Sequence, residues 1–354
     1  MTQQTDRQTT PITTGGGPPA KSFRPGDRVR VRSRAEILTT LDERGTVDGM
    51  PFMPEMLGFE ARTFVVDAVV HRTCDTVGAA KGTGTNRALT GTVHLRGTRC
   101  DGAAHGGCQA RCLLYWNENW LEAVPDQDPA LPEGTATEAF GGPATVVPDV
   151  LAAGVEKPDT LPAEPVYVCQ ATELVRASCF VSQRSPRLWV KDIRSGNTTP
   201  PRALASFALM GFNRWQSVSL RFPPGLRIRG GQRWPWCFPT GERRRFPGLG
   251  LVPGDMVEVK PLAEIESTLD EQRRLRGLWF SPEMVPFCGT RARVLAKVDR
   301  IVDEKSGRML KLRDCFILES VWCDGNYHAL CRRKLYSYWR EAWLRPVDQP
   351  GPTA

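Results

Sequence analysis

GDRVRVRSRAEILTTLDERGTVDGMPFMPEMLGF (26–59) recurs, without a gap, as GDMVEVKPLAEIESTLDEQRRLRGLWFSPEMVPF (254–287), with 17 of 34 positions identical. A second pair follows further along. CDGAAHGGCQARCLLYWNENWLEAV (100–124) matches CDGNYHALCRRKLYSYWREAWLRPV (323–347) at 11 of 25 positions. The offset falls from 228 to 223 because the first copy has a longer loop around GAAKGTGTNRA (78–88). Two collinear blocks mark an internal repeat, and a repeat sets the architecture before any single motif does. The units are 23–125 and 251–347, each of common domain size.

Each copy opens with GDxVxV, where a turn precedes alternating valines, which predicts a strand with one buried face. AEIxxTLDE has helical spacing through Ile37 and Leu41 and through Ile265 and Leu269, over two turns only. FxPEM predicts a short proline-initiated helical turn. Strand-like runs follow at 63–72 and 92–97 in the first copy, and at 293–302 and 315–320 in the second. Short strands between glycine turns predict small, bent antiparallel barrels. The expected fold class is therefore mainly β with an α+β middle. The GDxVxV opening resembles SH3-like barrels of the KOW and bacterial SH3 type, which implies two duplicated small SH3-like barrel modules. The repeat, with its CDGxxHxxC and YWxExWL elements, is also similar to uncharacterised bacterial proteins. That similarity implies no activity.

Composition narrows the class. The chain has 354 residues, 33 glycines and 29 prolines, an excess that favours turn-rich β structure and linkers. No apolar run approaches the ~18 residues of a membrane span. Residues 1–22 lack the apolar core of a secretory signal and are expected to be a disordered tail, as are 348–354. The expected location is cytoplasmic, where eleven cysteines favour metal ligation or buried thiols over disulfides. Residues 126–165 carry eight acidic side chains and one basic, with 11 glycines or prolines among 40 positions, the composition of a solvated linker. Residues 166–250 carry 14 arginines and lysines against three acids. The net charge of +8 therefore belongs to the middle of the chain.

The first copy contains Cys100-x4-His105-x2-Cys108-x3-Cys112, with Cys74 at the end of a preceding strand. Thiolates and an imidazole so close in sequence suit tetrahedral zinc. The expected ligands are His105, Cys108 and two of Cys74, Cys100 and Cys112. The second copy keeps Cys323, His328 and Cys331, but has Leu335 opposite Cys112 and Val302 opposite Cys74. Cys315 and Cys288 are its local candidates for a fourth ligand. If neither reaches, a Cys2His zinc would hold an open catalytic position; otherwise the thiols close the site or simply pack.

Other features carry weaker chemistry. Trp116, Trp120, Trp339 and Trp343, with Glu118 and Glu341 between them, are expected to close small cores, although aromatic clusters on such barrels can also bind peptides. Glu55 and Glu283 recur in PEM, which invites an acid or metal role, or a shared turn. Cys169 and Cys179 lack metal spacing, though Cys169 could join a site across a domain interface. PRALASFALMGFNRW (201–215) reads as an amphipathic helix with Leu204, Phe207, Ala208 and Gly211 on one face. RIRGGQRWPWCFPTGERRRF (227–246) interleaves six arginines with aromatics, a pattern able to grip phosphates and stack on bases, or to meet an acidic partner. There is no GxSxG, P-loop, HExxH or strand-borne GxGxxG. The expected function is a zinc-binding accessory or scaffolding protein with a protein partner and no membrane. The alternatives are a zinc-dependent enzyme centred on the second module and a nucleic-acid-binding protein using 227–246.

Overall fold

The computed structural model describes residues 22–77, 85–125, 139–141, 146–157, 164–183, 185–241, 246 and 248–347. In the first module β1 (Arg28–Val31), β2 (Thr63–Val69), β3 (Thr92–Leu95), β4 (Trp116–Asn117) and β5 (Leu121–Ala123) form one antiparallel sheet, ordered β4-β3-β2-β1-β5. In the second, β6 (Met256–Val259), β7 (Arg291–Lys297), β8 (Cys315–Leu318), β9 (Trp339–Arg340) and β10 (Leu344–Pro346) form another, ordered β9-β8-β7-β6-β10. The protein is mainly β, and the two orders are the same. Registers agree as well: Arg28 faces Val65, and Met256 faces Arg293. Each long strand is bulged at the same place, between Val66 and Ala68 and between Val294 and Ala296. A bulge bends its strand and increases twist, so both sheets curl in the same way.

The alternating valines bury one face: Val29 and Val31, and Val257 and Val259, are all at most 1% exposed. PEM starts a 3-10 helix in each copy, Pro54–Phe59 and Pro282–Phe287. A second 3-10 turn, Glu118–Trp120 or Glu341–Trp343, precedes the last strand. The four tryptophans of YWxExWL are fully buried in the two cores, so they form no peptide groove. Phe52 meets Trp116 and Trp120 edge-on at 6.4 and 5.0 Å; Phe280 meets Trp339 and Trp343 at 6.3 and 5.3 Å. The glutamates between them accept from the backbone N–H that enters each module, Glu118 from Phe23 and Glu341 from Leu251.

One difference between the cores has a measurable consequence. Trp116 Nε1 donates to Thr98 Oγ1 at 3.0 Å, and that hydroxyl donates to the Leu95 carbonyl at 3.1 Å. The position equivalent to Thr98 is Val321, and buried Trp339 Nε1 has no partner among the described residues. Val321→Thr is expected to raise stability by about 0.5–1 kcal/mol, because it supplies an acceptor to an orphaned buried donor. Urea unfolding checks this; an unchanged or lowered midpoint would refute it.

The middle segment packs between the modules. Gln170, on the helix Gln170–Ala177, accepts from Tyr115 N and donates to the carbonyls of Pro51 and Tyr115, tying that helix to the first module. Trp189 and Ala203, on the helices Pro186–Arg194 and Pro200–Ser219, pack on Ala329 and Leu330 of the second. The apolar face of the amphipathic helix is turned outward: Leu204 is 69% and Phe207 51% exposed, while Ala203, Ser206, Gln216 and Ser219 are covered. The covered face wins through small residues and hydrogen bonds, Ser206 Oγ to Asn326 O and Gln216 Nε2 to Ile228 O. Parts of the acidic stretch also dock: Ala139 bridges Thr98, and Leu151 enters the first core.

In the basic 227–246 segment, Arg229 stacks on Trp236 at 5.3 Å and Cys237 is buried in the second module's core. Arg243, Arg244 and Arg245 lie outside the described residues. No helix among the described residues is long and apolar enough to cross a membrane.

Candidate metal centres

The CDG turn builds the same loop twice. Cys100 N donates to the Cys112 carbonyl at 2.9 Å, and Cys323 N to the Leu335 carbonyl at 2.8 Å. His105 N then reaches Gly102 O at 3.2 Å, and His328 N reaches Gly325 O at 2.9 Å. Each histidine is thereby folded back over its cysteine. The PEM 3-10 helix supplies the third group from across the core. Glu55, Cys100 and His105 bring one ligand atom each within 4.8 Å of one another, and so do Glu283, Cys323 and His328.

In the first module, the Cys100 thiol donates to Glu55 Oε1 at 3.1 Å and lies 3.7 Å from His105 Nε2. His105 Nδ1 lies 3.4 Å from the same carboxylate oxygen. Tetrahedral zinc with bonds of about 2.0–2.3 Å separates its ligand atoms by about 3.3–3.6 Å; the thiol lies near that range from Glu55 Oε1 and from His105 Nε2, while the carboxylate contact of His105 is made by its other nitrogen, Nδ1. All three side chains are buried, and His105 Nδ1 and Glu55 Oε2 have no hydrogen-bond partner among the described residues. Burial pushes the Glu55 carboxyl up to about 7, pulls the His105 imidazole down to about 4 and raises the Cys100 thiol well above its ordinary value. Each group is penalised for carrying charge. A dication between them would reverse that penalty for the thiolate and the carboxylate.

The second site is more open and closes on itself differently. His328 Nε2 contacts Glu283 Oε1 at 2.5 Å. Although burial opposes both shifts, this pairing raises the His328 imidazole to about 9 and lowers the Glu283 carboxyl. The His328 side chain keeps 25% of its exposure against 2% for His105, so water still helps solvate the pair.

Four expected ligands are thus brought together in two pairs, Cys100 with His105 and Cys323 with His328. The rest are placed otherwise. Cys74 is not at the first module's group. Its strand, Thr73–Asp75, reaches across to the second module, where Cys74 N donates to Cys331 Sγ at 3.0 Å. The second module answers with its own strand, Arg300–Val302, and Val302 N donates to Cys108 Sγ at 3.3 Å. Val302 is the residue opposite Cys74 in the repeat, so the modules meet reciprocally, as two copies do across a two-fold axis. Cys108 and Cys331 sit beside the groups, each accepting a hydrogen bond from the other module. Neither Cys315 nor Cys288 joins the second group; Cys315 is buried with Val298, Ile317 and Tyr336, and Cys288 packs on the second core. Glu55 and Glu283 are the group members hardest to read from sequence, their only signal being recurrence in PEM.

A cavity of about 250 Å³ adjoins the first group. Cys100, His105, Cys108, Cys112 and Cys169 line it, with Val302 and Tyr338 from the second module. Cys169, from the middle segment, lines the same cavity but is not part of the Glu55/Cys100/His105 group. Cys179 is exposed, paired in a short strand with Ala88. No protein-family model, curated protein or solved structure matches this chain.

Proposed function

We propose that the chain is a zinc-binding accessory protein, a scaffold of two SH3-like modules that presents a composite surface to a protein partner. One observation carries the metal reading: the same Glu/Cys/His group recurs at equivalent positions of both modules, buried in the first and half-buried in the second, with ligand atoms within 4.8 Å of one another. One thiol, one imidazole and one carboxylate is a donor set that zinc accepts. Zinc held there would tie the PEM helix to the CDG loop and stabilise the core between them. The SH3-like reading is supported by the strand order, with a 3-10 turn before the last strand of each sheet. Protein purified reduced and without chelator is expected to carry two zinc ions, and His105→Ala one. Elemental analysis finding none in the unmodified chain would end this reading.

The enzyme reading draws on a different observation, and at the first module rather than the second. Three protein ligands beside a cavity of about 250 Å³ leave room for a water or substrate on the metal. Cobalt(II) placed in the first site reports on this. A visible spectrum that shifts on adding azide marks an open position, and an unchanged spectrum marks a closed structural site.

A further inference from the structure

We propose that the outward face of the helix Pro200–Ser219, with the arginine-bearing turn that follows it, is a docking surface for an anionic lipid bilayer. The inference goes beyond the protein-partner reading and does not depend on a metal.

The argument begins from the face itself. Leu204, Phe207, Ala208, Gly211, Trp215 and Val218 recur at helical spacing and are all exposed. They project within an arc of about 100° and run about 21 Å along the axis. Leu204 is 69% exposed and Trp215 41%. The opposite side of the helix is already occupied, through Ala203, Ser206 and Gln216. The apolar surface also continues past the helix end, where Leu220, Phe222, Leu226 and Ile228 are exposed. A continuous apolar surface of this kind marks an interaction site, whereas scattered exposed residues do not.

Charge identifies the occupant. Between Asp192 and Glu242 the chain holds seven arginines and no acid. Arg202 pairs with Asp324 at 3.8 Å. Arg214 borders the apolar arc, and Arg221 separates Leu220 from Phe222. Both are exposed, and neither has an ion-pair partner among the described residues. Apolar side chains flanked only by cations call for a partner that is apolar and anionic at once. A second copy of this chain does not meet that need, because joining the same faces would set Arg214 and Arg221 against their equivalents. An anionic bilayer does. Its headgroup charges meet the arginines, and the acyl boundary beneath takes up the leucines and aromatics. Trp215 and Trp234, both half-exposed, are of the residue type that settles at that boundary. Such binding needs no membrane span, since a helix lying in the interface plane buries one face only.

The test uses the full chain and its sedimentation with vesicles of phosphatidylcholine alone, or of phosphatidylcholine mixed with phosphatidylserine. The chain is expected to bind the mixed vesicles and not the neutral ones, and to bind more weakly as salt is raised. Leu204 and Leu226 are each 69% exposed and belong to neither module core. Leu204→Ser with Leu226→Ser should therefore weaken binding at least about tenfold and leave the urea midpoint unchanged. Arg214→Gln and Arg221→Gln should each weaken it about fivefold. Absence of binding to the mixed vesicles would overturn the proposal. Binding that survives both leucine changes would overturn it too, because charge alone would then account for it. A dimer in light scattering that the leucine changes dissociate, without vesicle binding, would give the face to a second copy. Capture of an amphipathic peptide of leucine and glutamate, again without vesicle binding, would give it to an acidic protein; either result ends the bilayer reading.

Discussion

Gly102→Ala and Gly325→Ala are each expected to empty their own module's proposed zinc site and to cost about 3–5 kcal/mol of stability, at the upper end for single substitutions. Both glycines have positive φ, 74° and 77°, where a side chain is strained by roughly 1–2 kcal/mol. The larger effect is a collision. A Cβ on Gly102 would lie 1.9 Å from the Cys108 carbonyl oxygen, and one on Gly325 would lie 2.1 Å from that of Cys331. Both obstacles are main chain, inside the loop that folds each histidine over its cysteine, so relief requires opening that loop. Gly277→Ala separates the two costs, since Gly277 also has positive φ, at 82°, but nothing lies within 4 Å of its added Cβ. It should lose only the strain and keep both zinc ions. Denaturant unfolding and metal content measure all three variants. Retention of zinc by a stable Gly102→Ala protein would show that the loop does not hold the ligand.

The CDGxxHxxC element was legible because its residues lie close in sequence, and the loop it builds is a local structure. The repeat was legible for a similar reason: strand order and register follow from residues that recur at fixed offsets, such as Val29 and Val257. The destination of Cys74 was not. Its spacing to Cys100 suggested a shared site, but the strand Thr73–Asp75 leaves its own module, and which module a strand reaches is a tertiary property. Glu55 lies 45 residues from Cys100, and only folding brings the carboxylate to the thiol. The helix Pro200–Ser219 shows a different limit. Periodicity identifies an apolar face at Leu204 and Phe207, yet the neighbours of a helix decide which face is covered. Here Ala203 and Ser206 lie against the second module, and the larger apolar residues are left outside.

Arg72→Ala is expected to destabilise the protein by about 3–5 kcal/mol, the range for breaking a buried ion pair from one side. Arg72 Nε lies 2.9 Å from Asp192 Oδ2, with 1% and 4% of the two side chains exposed. The guanidinium also sits 4.3 Å over the Trp189 ring and reaches the Ala329 carbonyl. One side chain thus joins the first module, the helix Pro186–Arg194 and the CDG loop of the second. Its removal leaves the Asp192 carboxylate buried without its paired guanidinium, with only the weaker fields of Arg332 and Lys191. Burial already raises the Asp192 carboxyl above its ordinary value even with Arg72 beside it, and without Arg72 it rises further. A carboxyl raised in the folded state binds more protons there than in the unfolded chain, so its penalty is relieved as pH falls through the folded value. The loss caused by Arg72→Ala should therefore be larger at pH 8 than at pH 5. Arg72→Met with Asp192→Asn removes the stranded charge, keeps a side chain on Trp189 and leaves an amide oxygen for Asn197 Nδ2, which donates to Asp192 at 3.1 Å. This double variant should recover most of the loss. Unfolding of the single and double variants at both pH values decides the matter: additive losses with no pH dependence would mean that shape, and not the compensated charge, joins the three parts here.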